Sequence, residues 1–191
     1  SFVKQEGMCL FAQAGVALSV LAKRAAQAGL SGLEFASGIP GTLGGAIVMN
    51  AGAYGGEMAQ VVKQVTLLSK EGAILTLSGE EMQFGYRESI VSKMGYVVLE
   101  VKLGLKEGNP AVIEADMAEL NARRREKQPL EYPSAGSTFR RPAGYFAGKL
   151  IMESGLAGFQ IEDAQVSKKH CGFIINRGNA TAKEVKDLIE N

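Results

Sequence analysis

The sequence predicts an α+β fold. Strand-like runs gather in its first half, at residues 8–13, 61–68, 73–77 and 96–103; Asn109 and Pro110 then reset the pattern; the remainder is richer in helical periodicity. Strand runs followed by helix-rich segments point to segregated layers rather than a regular βαβ array. The 191 residues suffice for one large or two small domains. The reset predicts a division into residues 1–107 and 108–191.

Taken in order, "MCLFAQ" at 8–13 reads as a short strand. A helix is expected over 17–28, with Val20, Leu21 and Ala25 among its apolar positions and Gly29 as its stop. Residues 37–57, "SGIPGTLGGAIVMNAGAYGGE", hold seven glycines, too many for an ordinary helix, yet the stretch is too hydrophobic for a flexible linker. Residues 61–68 and 73–77 form a hairpin through Lys70, Glu71 and Gly72. In 96–103, Val97, Leu99, Val101 and Leu103 fall on one face and Val98, Glu100 and Lys102 on the other, the pattern of a strand with one buried face.

Asn109 suits an N-cap and Pro110 the first helical position. Ile113, Met117, Leu120 and Arg124 follow at helical spacing, and the helix should stop near Gln128, before Pro129. Beyond it a helix is expected at 145–154, a short strand at 172–176 and a final helix at 180–190. Thr181 and Glu184 have capping-box spacing, and Ala182, Val185, Leu188 and Ile189 share a face. The pattern runs to Asn191 with no following Gly or Pro, and residue 1 is Ser; the expectation is a fragment cut at both ends.

Composition narrows the function classes. Apolar residues make up 46%, with no run of membrane-spanning length. Lys plus Arg is 21 against 20 Asp plus Glu, which gives no reason to expect nucleic acid or a membrane surface. Cys9 and Cys171, two and far apart, suit a reducing compartment and form no zinc pattern, so no metal site is expected. No signal-peptide pattern follows Ser1.

The glycine-rich stretch matches neither Gly-x-Gly-x-x-Gly nor a Walker A loop. Tight packing at sharp turns would explain it. So would a ligand loop that exposes backbone N–H groups to phosphate, and the density of glycines around Asn50 and Tyr54 favours this second reading. Ser137, in "EYPSAGSTFRRP" at 131–142, is by composition a turn or cap residue. Arg87, after Tyr86, would ordinarily be a surface salt-bridge residue. Arg123, Arg124, Arg125 and Lys127 complement a helix C-terminus. His170 is the single histidine, with no metal-ligand partner near it in sequence. Cys171 reads as a small core residue, and Asn176 as a turn former.

Four ordered motifs change the weighting. "GIPGTLGGAIVMNAGAYGGE" at 38–57, "FGYRES" at 84–89, "YPSAGSTFRRPAGYFAGKLI" at 132–151 and "AQVSKKHCGFIIN" at 164–176 resemble, in sequence, order and spacing, motifs of the UDP-N-acetylenolpyruvoylglucosamine reductase family, also called UDP-N-acetylmuramate dehydrogenases. The resemblance covers essentially the whole chain and is closest to the shorter type, which lacks a tyrosine-bearing insertion. It implies the second lobe of a vanillyl-alcohol-oxidase-type FAD-binding domain, followed by a small α+β substrate-binding domain. It also implies a cytoplasmic flavoprotein of peptidoglycan synthesis. NADPH reduces FAD, and the flavin passes hydride to UDP-N-acetylglucosamine enolpyruvate to give UDP-N-acetylmuramate.

By motif match, Ser137 would be the proton donor, and Arg87 the cation that supports the enolate carboxylate. The resemblance places Ile39, Pro40, Gly41, Gly44, Gly45, Asn50, Ala51, Gly52 and Val101 at FAD. It places Tyr54, Tyr86, Arg125, Lys127, Gln165 and His170 at the substrate, Arg125 or Lys127 against its diphosphate. A Gly-x-Gly-Ser-Asn-like loop of the first flavin lobe and a glutamate in a Pro-Glu-Val-like motif have no counterpart here, so neither Glu184 nor Glu190 inherits that glutamate's role. Two readings compete: a non-catalytic nucleotide-sugar or flavin-binding module, and a different flavin oxidoreductase that shares the FAD lobe.

Overall fold

The structure, a computed structural model, describes residues 2–191. They fall into two units, one running to Ala122 and the other from Arg123 to Asn191.

The first unit opens with a hairpin of β1 (Val3–Glu6) and β2 (Cys9–Gln13). Only β2 was expected; β1, "VKQE", is largely exposed and carries no apolar stripe to reveal it. Helix α1 (Leu18–Gln27) buries Leu18, Leu21, Ala22, Ala25 and Ala26. Val20, expected with them, is half exposed because it falls one step off that stripe. After β3 (Leu30–Ser31) and a 3₁₀ turn at Glu34–Ala36, the glycine-rich stretch folds into α2 (Leu43–Val48), β4 (Gly52–Ala53) and β5 (Gly56–Glu57). Its glycines do not prevent a helix, because α2 is held by packing: Leu43, Ala46 and Ile47 are buried.

The expected hairpin is β6 (Val62–Leu68) and β7 (Ile74–Ser78). Helix α3 (Ile90–Met94), β8 (Val97–Gly104), β9 (Lys106–Glu107) and α4 (Pro110–Lys127) complete the unit's elements. Among the described residues, β1, β2, β8, β6 and β7 form one antiparallel sheet in that order, and β3 pairs with β9.

Strand β8 departs from the expected alternation. Thr66 of β6 faces Glu100, but the next residue, Leu67, faces Val98, so Leu99 is an extra residue in the ladder. A one-residue bulge reverses which side chains face inward. Val101 and Leu103 are buried as expected; on the other side of the bulge Val98 is buried and Val97 is exposed.

Asn109 caps α4 through its side chain, which accepts the Ala111 N–H at 2.9 Å. The division between the units lies within this helix, later than the expected 107/108. Ile113 is buried, Met117 packs against the first unit's core, and Asn121 Nδ2 donates to Ser37 Oγ at 3.2 Å. Burying a side chain such as Ile113 is worth roughly 1.5–3 kcal/mol, enough to bind the first turns of the helix to the sheet-bearing unit.

In the second unit, α5 (Ala147–Glu153) precedes a small antiparallel sheet of β10 (Gln160–Ile161), β11 (Ala164–Val166) and β12 (Ile174–Asn176), ordered β10-β11-β12, and α6 (Ala182–Glu190) follows. Strands β10 and β11 were too short to be read from the sequence. The expected capping box is present: Thr181 Oγ1 accepts the Glu184 N–H, and Glu184 Oε2 accepts the Thr181 N–H, both at 3.3 Å. Leu188 joins Ala164, Val166 and Cys171 in a small core, with Val185 packed against it. Ala182 and Ile189, expected on that face, are exposed. Among the described residues no helix is long and apolar enough to cross a membrane.

Candidate functional site

In the first unit the glycine-rich stretch serves two purposes. Some of its glycines admit close approach within the protein. A Cβ on Gly56 would stand 2.5 Å from the Phe35 ring, and one on Gly52 would stand 2.6 Å from the Gly56 carbonyl oxygen. Gly44, buried against Ala14, donates its N–H to the Ala14 carbonyl at 2.8 Å, and Leu43 donates to Val16. These amides of the α2 first turn are therefore spent on the chain itself rather than on a phosphate. Gly45 differs: it is exposed, and a Cβ there would meet only Thr42 Oγ1, at 3.8 Å. Pro40 and Gly41 are exposed beside it, and Ile39 packs partly against the core. A flat cofactor could approach the backbone at Gly41 and Gly45. Val101 is placed differently. It is fully buried in the core, in a strand paired on both sides.

"FGYRES" closes onto this loop. Gly85 and Glu88 exchange backbone hydrogen bonds, leaving Tyr86 and Arg87 at the tip of a tight turn, with Arg87 at φ 56°. The Arg87 guanidinium folds back: Nη2 donates to the Gly52 carbonyl at 2.7 Å and Nη1 to the Asn50 carbonyl at 3.3 Å. Its Cζ also lies 5.1 Å from the centre of the half-exposed Tyr86 ring. Asn50 is buried at φ 40°; its Nδ2 donates to the Gly85 carbonyl at 3.0 Å and its Oδ1 accepts the Ala59 N–H at 2.9 Å. Tyr54, at φ 54°, stands in the β4–β5 turn with its side chain partly exposed. Left-handed backbone at a non-glycine residue costs on the order of 1–3 kcal/mol and collects at functional sites. Among the described residues it falls on Asn50, Tyr54, Gln83, Arg87 and Glu162, of which Asn50, Tyr54 and Arg87 were singled out from sequence. Ser89 was missed. It is fully buried and donates to the Val48 carbonyl at 2.9 Å, a second tie from this motif to the loop.

In the second unit, Ser137 is exposed and forms an antiparallel bridge with Phe173. Thr138 donates its N–H to the Gly172 carbonyl at 2.8 Å, Ser134 Oγ donates to the Ile174 carbonyl at 2.7 Å, and the Asn176 N–H reaches the Pro133 carbonyl. The segment around Ser137 thus runs along β12 and the turn before it. That turn is set by the half-buried His170, whose Nδ1 accepts the Gly172 N–H at 3.1 Å. Ser167, also missed from sequence, is buried and accepts the N–H groups of Lys169 and His170. The Ser-x-Lys-His spacing of an ST-type turn was the available signal.

The other expected substrate residues of this unit are Gln165, Arg125 and Lys127. Gln165 Nε2 donates to Gln160 Oε1 at 2.8 Å and to the Gly158 carbonyl at 3.3 Å. Arg125 and Lys127 are exposed at the end of α4, where the Arg125 carbonyl accepts a hydrogen bond from Lys169 Nζ. Cys171 is buried, and burial pushes its thiol pKa up, which argues against a nucleophile. No group of acidic, His or Cys side chains among the described residues could hold a metal ion.

Residues 2–78 match the FAD binding domain family, and residues 128–191 match the family described as UDP-N-acetylenolpyruvoylglucosamine reductase, C-terminal domain. A UDP-N-acetylenolpyruvoylglucosamine reductase of Clostridioides difficile (strain 630) is 60% identical over 178 residues, which cover 93% of this chain and 59% of that protein. The corresponding protein of Caldanaerobacter subterraneus subsp. tengcongensis is 57% identical over 185 residues, covering 97% and 61%. The crystal structure of UDP-N-acetylenolpyruvylglucosamine reductase from Thermus caldophilus matches with a TM-score of 0.87 and 43% identity, covering 94% of this chain and 66% of that one. The chain spans about 60% of the length of the relatives it matches.

Proposed function

Because the chain belongs to the UDP-N-acetylenolpyruvoylglucosamine reductase family, we propose that it works as part of a flavin-dependent reductase of a cytoplasmic cell-wall precursor, UDP-N-acetylglucosamine enolpyruvate. The observation that carries this reading is the seating of Arg87 on the glycine-rich loop. It fixes a permanent cation against the Asn50 and Gly52 carbonyls of a segment that matches an FAD binding domain.

Bound FAD, once reduced by NADPH, supplies the hydride. Its transfer to the terminal alkene carbon leaves negative charge on the neighbouring carbon, shared with the adjacent carboxylate as an enolate. Arg87 supplies the cation for that charge, already oriented by the loop carbonyls, so little reorganisation is needed as charge develops. Ser137 supplies the proton to carbon; its exposed hydroxyl can recover one from water. A serine hydroxyl is a weak acid, so the transfer depends on its placement. Gly41 and Gly45 offer the cofactor backbone without side chains, next to the short rigid ring of Pro40.

The test follows NADPH oxidation, with and without the enolpyruvyl UDP-sugar, in the FAD-loaded protein extended to the length of its relatives. Substrate-dependent turnover is expected. In S137A the flavin should still be reduced by NADPH, while alkene reduction falls by ~10²–10⁴-fold. Bound FAD without any substrate-dependent turnover would overturn the assignment.

A further inference from the structure

We propose that His170 is a positioning residue for Ser137, acting through Gly172 and Thr138; the proposal rests on the reading of Ser137 as proton donor. His170 Nδ1 accepts the Gly172 N–H, which leaves Nε2 as the nitrogen that carries the ring proton in this arrangement. The ring meets Phe173 edge-on, at 4.8 Å between centres and 66° between planes. Helix α5 backs it closely: a Cβ on Gly148 would stand 3.3 Å from His170 Cε1 and 3.0 Å from the Gly172 nitrogen. The turn is closed by the Phe173 N–H donating to the His170 carbonyl at 2.9 Å.

The outer edge of this turn receives the Ser137 segment, through the Thr138 N–H on the Gly172 carbonyl and the bridge of Ser137 to Phe173. Ser137 and Phe139 are exposed, so backbone bonds rather than side-chain burial place the stretch of chain that carries the Ser137 hydroxyl. One hydrogen bond separates His170 from Gly172 and one more separates Gly172 from Thr138. A displacement of about 1 Å at a reacting group can cost on the order of 10²-fold in rate.

The positioning role differs from a direct contact between His170 and substrate by the nitrogen it uses. An Asn at this position can put Oδ1 where Nδ1 lies, whereas a Gln puts its amide nearer Nε2. The experiment compares H170N, H170Q and H170A in the FAD-loaded protein. It reads amide exchange at Thr138, flavin reduction by NADPH, and reoxidation by the enolpyruvyl UDP-sugar. Flavin reduction should change less than the alkene step in all three. H170A and H170Q should lose Thr138 protection and slow the alkene step by ~10-fold or more, and H170N should restore both. Rescue by Gln but not Asn, or unchanged Thr138 protection in H170A and H170Q, would overturn the proposal. If the unaltered protein fails to reduce the alkene, the proposed function falls. Exchange at Thr138 then decides the His170 linkage by itself: loss in H170Q with retention in H170N supports it, and any other pattern ends it.

Discussion

Arg87 Nη2 lies 2.7 Å from the Gly52 carbonyl oxygen, thirty-five positions earlier in the chain, while Nη1 of the same guanidinium reaches the Asn50 carbonyl. One planar cation thereby joins two sequence motifs that share no local structure. The arrangement holds the loop, in the proposed reaction the same group presents charge, and a lysine could not copy its fork.

R87K should therefore keep the positive charge and lose the paired geometry. Hydrogen bonds to a charged group are worth about 1.5–3 kcal/mol each, so the expected loss in the alkene half-reaction is ~10-fold or more. Flavin reduction by NADPH should change less. Separate stopped-flow measurement of the two half-reactions checks this; equal losses in both would mean that Arg87 only supports the loop.

Asn50 tests the same junction through stability. In N50A the Ala59 N–H loses its partner, and the Gly85 carbonyl keeps only its longer bond from the Glu88 N–H. Each unsatisfied group costs about 1–3 kcal/mol. Thermal unfolding should shift down by several degrees, at roughly 2–4 °C per kcal/mol for a chain of this size. N50D, which keeps the acceptor and turns the donor into an acceptor facing the Gly85 carbonyl, should be no better than N50A.

The glycines divide into packing and surface positions. G56A drives a methyl group into Phe35 and should destabilise by about 1–3 kcal/mol, the usual cost of overpacking. G45A meets open space and lies within α2, so stability should hold or rise by up to about 1 kcal/mol. If Gly45 faces the cofactor, FAD affinity falls in G45A despite its stable fold. Flavin titration with parallel thermal unfolding separates the two effects.

Cys171 gives the second unit a pH dependence on the alkaline side. Burial holds the thiol above its ordinary value of 9.0. The neutral thiol is the form the folded state favours, so its contribution is fully present below the unfolded pKa. That contribution is lost as pH rises through the folded pKa. Stability should thus decline with a slope that begins near pH 9, and C171A should flatten that slope. Iodoacetamide should label Cys171 slowly until the unit unfolds.

Much of this was legible in one dimension because the relevant forces are local. The cap at Asn109, the box at Thr181 and Glu184, and the hairpin between β6 and β7 depend on neighbours a few residues away. The bulge at Leu99 was not legible, because it is defined by what faces it on β6. Nor was α2, whose glycines argue against a helix until Leu43 and Ile47 find a core. Nor was the complete burial of the Val101 side chain, which follows from strands pairing on both sides of β8.

By itself the sequence determined the elements whose stop, cap and turn chemistry is written in adjacent residues, and the motifs that carry the family resemblance. Tertiary structure alone decided which glycines pack and which stay bare, that Arg87 and Asn50 lock the loop, and that His170 turns Nδ1 toward Gly172. The physical reason is range. Capping and turn bonds close over a few residues, whereas these contacts join positions far apart in the chain or depend on the direction a side chain takes once its turn is packed.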